Sequence, residues 1–144
     1  MKPNLSFEYA RKFMQTYSDE SRPLCNEIGI PQTAFDILLF LANNPDYNTA
    51  KDVAEIRGLK ANLVSINVDK LVKEGYLTRM DDKDDRRKVI LSCTEKASPI
   101  IEKGRSMQKK LYEQLLSGIS EEELRTMKHV MEKMMQNMDE IRRR

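Results

Sequence analysis

The chain has 144 residues, enough for one domain, and its 25 basic and 23 acidic residues leave a formal net charge of only +2. No run of apolar residues is long enough to cross a membrane and the first residues carry no apolar signal core, so we expect a cytoplasmic protein that does not associate with membranes. Two cysteines without CxxC spacing, one histidine and five glycines without a nucleotide-binding motif argue against metal sites, cofactors and enzymes. We therefore predict a non-enzyme with no metal and no cofactor.

The N-terminal third predicts two helices. Apolar residues recur at helical spacing over residues 5–22 and indicate an amphipathic first helix, which Pro23 should kink or end. Gly29 begins a break, after which Thr33 and Asp36 are spaced as in a capping box. The run AFDILLFLA that follows is apolar almost all round, which indicates the buried central helix of the domain.

The middle of the chain has the pattern of a helix-turn-helix. Thr49 and Asp52 resemble a capping box at the start of a short helix over residues 50–57, which Gly58 should end. A turn leads to a longer helix at about residues 61–74. The apolar stripe of that helix consists of Val64, Val68, Leu71 and Val72.

A change of hydrophobic period follows this helix. Residues 76–80 and 88–93 alternate as short strands do, and the polar run DDKDDRR separates them. Two strands around a charged tip predict a β-hairpin of the kind that forms the wing of a winged helix.

Two further helices end the chain. One covers about residues 95–117, starting either at Thr94 or at Ser98 with Pro99 in the first helical position. The capping box Ser120–Glu123 opens the last helix, whose apolar residues recur at alternating spacings of three and four. One small protomer cannot bury such a seam, so we predict a symmetric homodimer. The candidate dimerisation residues are Phe7, Leu111, Leu115, Leu124, Met127, Met131, Met134, Met138 and Ile141.

These elements predict a mainly α fold with a small β-hairpin (α+β), a winged helix-turn-helix with long N- and C-terminal dimerisation helices. We expect one winged-helix domain over residues 1–144. Within it, residues 31–94 form the DNA-binding region, and residues 1–30 and 95–144 supply the dimerisation helices.

The candidate DNA contacts lie off the apolar stripe of the second helix of the helix-turn-helix and on the hairpin. Polar side chains on that helix can contact base edges or phosphates, and an exposed Ile66 indicates either thymine methyl contacts or a different helix rotation. At the hairpin tip, Arg87 or Arg86 can enter the minor groove while Asp85 holds the guanidinium extended. The full set is Thr49, Lys51, Lys60, Asn62, Ser65, Ile66, Asn67, Lys70, Arg79, Asp85, Arg86 and Arg87.

The stretches LVSINVDKLVKEGYLTR and DDRRKVILSCT, preceded by NNPDYNTAKDVAE, resemble the MarR family of winged-helix transcriptional regulators. The resemblance spans essentially the whole chain, with departures at Lys60 and Ile66, where the family often has a small hydroxyl residue and a basic residue. It implies a homodimeric, ligand-responsive transcriptional repressor that binds a pseudo-palindromic operator in double-stranded DNA. It also implies a small-molecule effector between the dimerisation helices and the winged region. Candidate lining residues are Tyr9, Phe13, Tyr17, Phe40 and Tyr112.

Two alternatives stay open at this point. Winged helices also serve as protein-interaction modules that do not bind DNA, and the near-neutral charge allows that function. Some members of the resembling family sense organic peroxides through a cysteine near the N-terminus. Arg22 favours such a thiolate at Cys25, whereas Glu20 and Glu27 oppose it.

Overall fold

The computed structural model describes residues 5–144, so the first four residues of the predicted dimerisation segment 1–30 lie outside the described residues. It contains two compact units, one extending to Leu111 and the other comprising Tyr112–Arg144. The elements in chain order are α1 (Leu5–Ile28), α2 (Gln32–Asn43), α3 (Ala50–Arg57), α4 (Ala61–Lys73), β1 (Leu77–Asp81), β2 (Val89–Cys93), a 3₁₀ turn (Glu95–Ala97), α5 (Ser98–Leu115) and α6 (Glu121–Arg142). The predicted mainly α fold with one antiparallel hairpin is confirmed.

Helix α2 is the centre of the first unit, as its sequence predicts. Seven of its twelve residues are buried, and the helix contacts α1, α3, α4 and β2. Only Asn43 among the twelve is exposed, which explains why the helix is apolar almost all round. The core around it includes Cys25, Val53, Val64, Val68, Leu71, Leu77, Leu91, Ala97, Ile100 and Ile101.

Of the two outcomes predicted at Pro23, a kink or an end, the end does not occur, because α1 continues through the proline to Ile28. Proline costs a helix one N–H donor, but its fixed φ is compatible with helical geometry. The continuation is stabilised by packing, since Cys25 is buried in the core and Ile28 packs against it. The helix ends where Gly29 adopts φ +78° and donates its N–H to the Cys25 carbonyl at 2.8 Å.

The capping box predicted at Thr33 and Asp36 is also wrong. Helix α2 begins at Gln32, two residues before the start that a Thr33 cap implies, and its N-cap Pro31 makes no side-chain capping bond. Asp36 instead accepts a hydrogen bond from Gln32 Nε2 at 3.0 Å and pairs with Arg57 of α3 at 3.4 Å.

The helix-turn-helix forms as predicted. Thr49 Oγ1 accepts the Asp52 N–H at 3.1 Å and Asp52 Oδ2 accepts the Thr49 N–H at 3.3 Å, which confirms the capping box of α3. Gly58 closes α3 in the left-handed region at φ +65°. On α4, Val64, Val68 and Leu71 are buried, and the helix packs on α2 and α3.

The wing is an antiparallel pair in which Leu77 faces Cys93 and Asp81 faces Val89. Its base is tied to the helices by backbone hydrogen bonds, among them Leu91 N–H to the Asn48 carbonyl at 2.8 Å. Thr94 does not cap a helix, because its hydroxyl donates to the Gly75 carbonyl at 2.6 Å and a 3₁₀ turn separates it from α5.

The second unit, Tyr112–Arg144, contains the end of α5 and all of α6. Gly118 turns the chain at φ +79°, and the predicted capping box is confirmed by the Glu123 N–H to Ser120 Oγ bond of 3.1 Å. No residue between Glu121 and Arg142 is buried in the protomer. The residues of the predicted seam of α6 are therefore exposed, apart from the half-buried Leu124.

By length and composition, no single helix in residues 5–144 could cross a membrane. Helices α1 and α2 meet that test only when they are joined across the bend of 100° between them.

Candidate nucleic-acid interface

The exposed face of α4 carries five of the six side chains predicted to point outward from it. The exposed residues are Lys60, Asn62, Ser65, Ile66 and Lys70. The outward orientation predicted for Asn67 is wrong. Its side chain is buried (9% exposed) and its Nδ2 donates to the Leu63 carbonyl at 2.8 Å. The spacing of Asn67 from Val64 and Leu71, three and four residues, places it on the apolar stripe and could have revealed this orientation.

The first two turns of α4 present uncharged side chains to solvent. Asn62 Oδ1 accepts the Leu63 N–H at 2.9 Å, so its amide group lies against the helix start with Nδ2 still able to donate. Ile66 is 64% exposed, and Leu63 is exposed as well. This surface combines an amide, a hydroxyl at Ser65 and two aliphatic groups, all of which are side-chain types that can contact base edges.

Helix α3 is held against α2 by a partly buried ion pair. Asp36 lies between Gln32 and Arg57, and only 13% of its side chain is exposed. Burial raises the pKa of the Asp36 carboxyl, although hydrogen bonds from Gln32 and the Arg57 charge act in the opposite direction.

Of the predicted DNA contacts at α3, Thr49 is occupied as the helix cap, and Lys51 is exposed with Nζ 3.9 Å from Glu55 Oε1. Sequence reasoning missed the Asp36–Arg57 pair, because no local spacing links the two residues.

The tip of the wing holds the predicted pairing of an acid with an arginine. Asp85 Oδ1 accepts the Arg87 backbone N–H at 3.0 Å and lies 3.4 Å from Arg87 Nε. The Arg87 side chain is 93% exposed, whereas that of Asp85 is 37% exposed. Arg86 is exposed beside them. The carboxylate thus contacts both the backbone and the side chain of an arginine that extends into solvent.

Arg79, another predicted DNA contact, forms an ion pair with Asp69. Asp69 lies on α4 and Arg79 on β1, so the pair joins the candidate recognition helix to the wing. No local spacing in the sequence points to Asp69 as the partner of Arg79. In the structure, Arg79 has a positioning role between the two parts of the interface.

The predicted dimerisation residues are mostly exposed. Phe7 on α1 is 78% exposed, and Leu115 and the apolar residues of α6 from Met127 to Ile141 are exposed too. Leu124 is half-buried. Leu111 differs, since only 6% of it is exposed in the protomer.

The cysteines lie in environments that oppose thiolate chemistry. Burial, followed by the nearby Asp36 charge, raises the pKa of the Cys25 thiol, which lies 3.7 Å from Gln32 Oε1. Burial also raises the pKa of Cys93, against the opposing charge of Arg105. A raised pKa lowers the thiolate fraction and so disfavours a reactive cysteine. Among residues 5–144, no group of three or more His, Cys, Asp or Glu side chains could hold a metal ion.

The residues predicted to line an effector site are distributed over several elements. Tyr9, Phe13 and Tyr17 stack along α1 with ring centroids 6.3 and 6.4 Å apart. The Tyr17 hydroxyl accepts a hydrogen bond from Gln108 Nε2 at 2.8 Å, and Phe40 is buried in the core. A shallow cavity of about 220 Å³ lies elsewhere, between the end of α2 and β2. Its lining residues are Leu41, Ala42, Pro45, Asn48, Leu91, Ser92 and Cys93.

Comparison with known proteins supports the resemblance drawn from the sequence. Residues 28–88 match the MarR family model. The chain is similar to a MarR-family transcriptional regulator from Silicibacter pomeroyi (TM-score 0.78, 15% identity, covering 92% of this chain and 89% of that one). It is also similar to the MarR protein from Peptoclostridium difficile (TM-score 0.73, 20% identity, 97% and 90% covered). A third similar structure is MepR of S. aureus in complex with DNA (TM-score 0.72, 21% identity, 93% and 96% covered).

Proposed function

We propose that this chain, whose winged helix-turn-helix resembles that of the MarR family, is a homodimeric transcriptional regulator that binds double-stranded DNA sequence-specifically. The observation that carries the proposal is the joint presentation of two surfaces. Helix α4 exposes a neutral polar face, and an ion pair links that helix to a wing whose tip extends an arginine held by Asp85. Residues 31–94 are the DNA-binding region, and the protein is not an enzyme.

Helix α4 enters the major groove in this proposal. The groove is about 12 Å wide and admits one α-helix, with the N-terminal residues nearest the bases. Asn62, Ser65 and Ile66 occupy that part of α4, while Lys60 and Lys70 lie at positions suited to phosphates. The wing places Arg87 in the adjacent minor groove, where the negative potential is enhanced. Asp85 limits the orientations of that side chain before binding.

Dimerisation supplies the second half of the binding site. Seven apolar side chains of α6 are exposed, about one per helical turn, and a second copy of the chain is the partner that would bury them. Residues 1–30 and 95–144 form the dimerisation helices in this proposal. A two-fold dimer presents two copies of α4, so the operator is a pseudo-palindrome with half-sites about one helical turn, roughly 10 bp, apart.

The regulator acts as a repressor in the cytoplasm, and a small-molecule effector changes its affinity for DNA. The support for these finer statements is the resemblance to the MarR family, together with the aromatic side chains along α1. Occupation of the operator by a dimer blocks transcription by excluding other proteins from the same DNA.

The test is the selection of bound duplexes from a random pool, followed by titration of the selected duplex at several salt concentrations. We expect a pseudo-palindromic motif and a log–log salt slope near −0.9 per neutralised phosphate. Failure to enrich any motif, with no salt-dependent binding, would contradict the proposal. That result would favour a winged helix that binds another protein.

A further inference from the structure

We propose that α4 recognises thymine methyl groups and that Ile66 is the specificity-determining residue for a thymine in each half-site. This inference rests on the proposed function, because it names a base that the same surface selects. It concerns a position where this chain departs from the family it resembles, so the resemblance does not supply it.

Ile66 is 64% exposed, the largest fraction for an isoleucine in residues 5–144, ahead of Ile141 (59%) and Ile56 (54%). It lies six residues after the N-cap Lys60, in the half of α4 that carries the uncharged exposed side chains. An aliphatic side chain that projects into the major groove finds one apolar partner on the base edges, the C5 methyl group of thymine.

The first two turns of α4 do not provide the usual contacts to guanine. No arginine, lysine or glutamine occurs between Ala61 and Asn67, so the bidentate guanine contact of arginine or lysine is absent from this half of the helix. Asp69 is engaged with Arg79, and Asn67 is turned into the core. In the first two turns of α4, these constraints leave an amide, a hydroxyl and aliphatic groups to discriminate between bases.

Asn62 strengthens the case for an A·T-rich half-site. It lies four residues before Ile66, so the two side chains share one face of α4. Four residues of helix rise about 6 Å, close to the height of two base-pair steps. An asparagine amide matches the N6 and N7 edge of adenine, and the isoleucine matches the thymine methyl. The two side chains thus select A·T pairs that lie two base-pair steps apart in the half-site.

The experiment replaces each thymine of the selected operator, one at a time, by deoxyuridine, which removes only the methyl group. The wild-type dimer should bind one such duplex about 10- to 25-fold more weakly when both half-sites carry the replacement at a single position, because each of the two lost methyl contacts contributes about three- to fivefold. Ile66→Ala should bind the thymine and uracil duplexes equally well. Ile56→Ala, which truncates an exposed isoleucine on α3, is the matched control and should keep the wild-type preference.

Two outcomes would overturn the inference while the proposed function stands. One is a wild-type affinity that no uracil substitution changes, although the selected motif is still bound. The other is an Ile66→Ala protein that loses as much affinity as the wild type when thymine is replaced by uracil. A protein that binds no duplex at all would contradict the proposed function itself, so the two failures are distinguishable.

Discussion

Replacing Asp85 by alanine tests the wing, because the two contributions of that residue to DNA binding have opposite signs. Asp85 Oδ1 contacts the Arg87 backbone N–H at 3.0 Å and Arg87 Nε at 3.4 Å. An exposed ion pair of this kind contributes about 0.2–1 kcal/mol. Losing it frees the guanidinium before binding and should weaken binding by roughly 1.4- to 5-fold, since about 1.4 kcal/mol is tenfold.

The carboxylate also repels phosphates, so its removal has a favourable effect as well. At about 10 Å in water the repulsion is roughly 0.4 kcal/mol per phosphate, and physiological salt screens charges beyond about 8 Å. At physiological salt and above, the loss of Arg87 orientation should therefore outweigh the loss of phosphate repulsion. We expect Asp85→Ala to bind the operator more weakly, with a larger ratio of dissociation constants at higher salt.

A double-mutant cycle provides the matched control. When Asp85→Ala is added to Arg87→Ala, no arginine remains at position 87 to be oriented, and only the phosphate repulsion is lost. The second substitution should then tighten binding. Fluorescence anisotropy titrations at two salt concentrations measure all four proteins. Equal tightening by Asp85→Ala in both backgrounds would refute the orienting role of Asp85.

Three further predictions concern packing, titration and assembly. In Gly104→Ala the new Cβ would lie 2.8 Å from both methyl carbons of the buried Leu39. This overlap should lower the free energy of unfolding by about 1–3 kcal/mol, and an unchanged denaturation midpoint would contradict the prediction. Because burial raises the pKa of Asp36, the wild type should lose stability relative to Asp36→Asn as the pH rises through that pKa. Denaturation of both proteins from pH 3 to 7 measures the difference in their free energies of unfolding. A difference that stays constant, or a relative gain by the wild type as the pH rises, would contradict the raised pKa. Met131→Glu should give monomers with unchanged helicity in sedimentation and circular dichroism, whereas intact dimers would exclude α6 from the interface.

Local signals in the sequence were sufficient where backbone chemistry sets the structure. The capping boxes at Thr49 and Ser120 and the end of α3 at Gly58 were predicted because each depends on residues within one turn. The alternation that predicted the hairpin is equally local. These elements determine most of the fold, including the position of α4 beside the wing.

The errors occurred where tertiary packing overrides a local rule. Pro23 should end α1 by its chemistry, but the residues that follow it pack on the core and keep the helix intact. Thr33 and Asp36 have the spacing of a cap, yet Asp36 is engaged by Arg57 from another helix. The pair of Asp69 with Arg79 likewise depends on the approach of two elements, which no local pattern encodes.

The central claim is that two copies of this chain bind successive major grooves through α4. The most direct measurement compares the selected operator with one in which five base pairs are inserted between the half-sites, turning the second half-site by about half a helical turn. We predict two protomers per intact operator and at least tenfold weaker binding to the lengthened one. Equal affinity for the two duplexes, or one protomer per operator, would contradict the account.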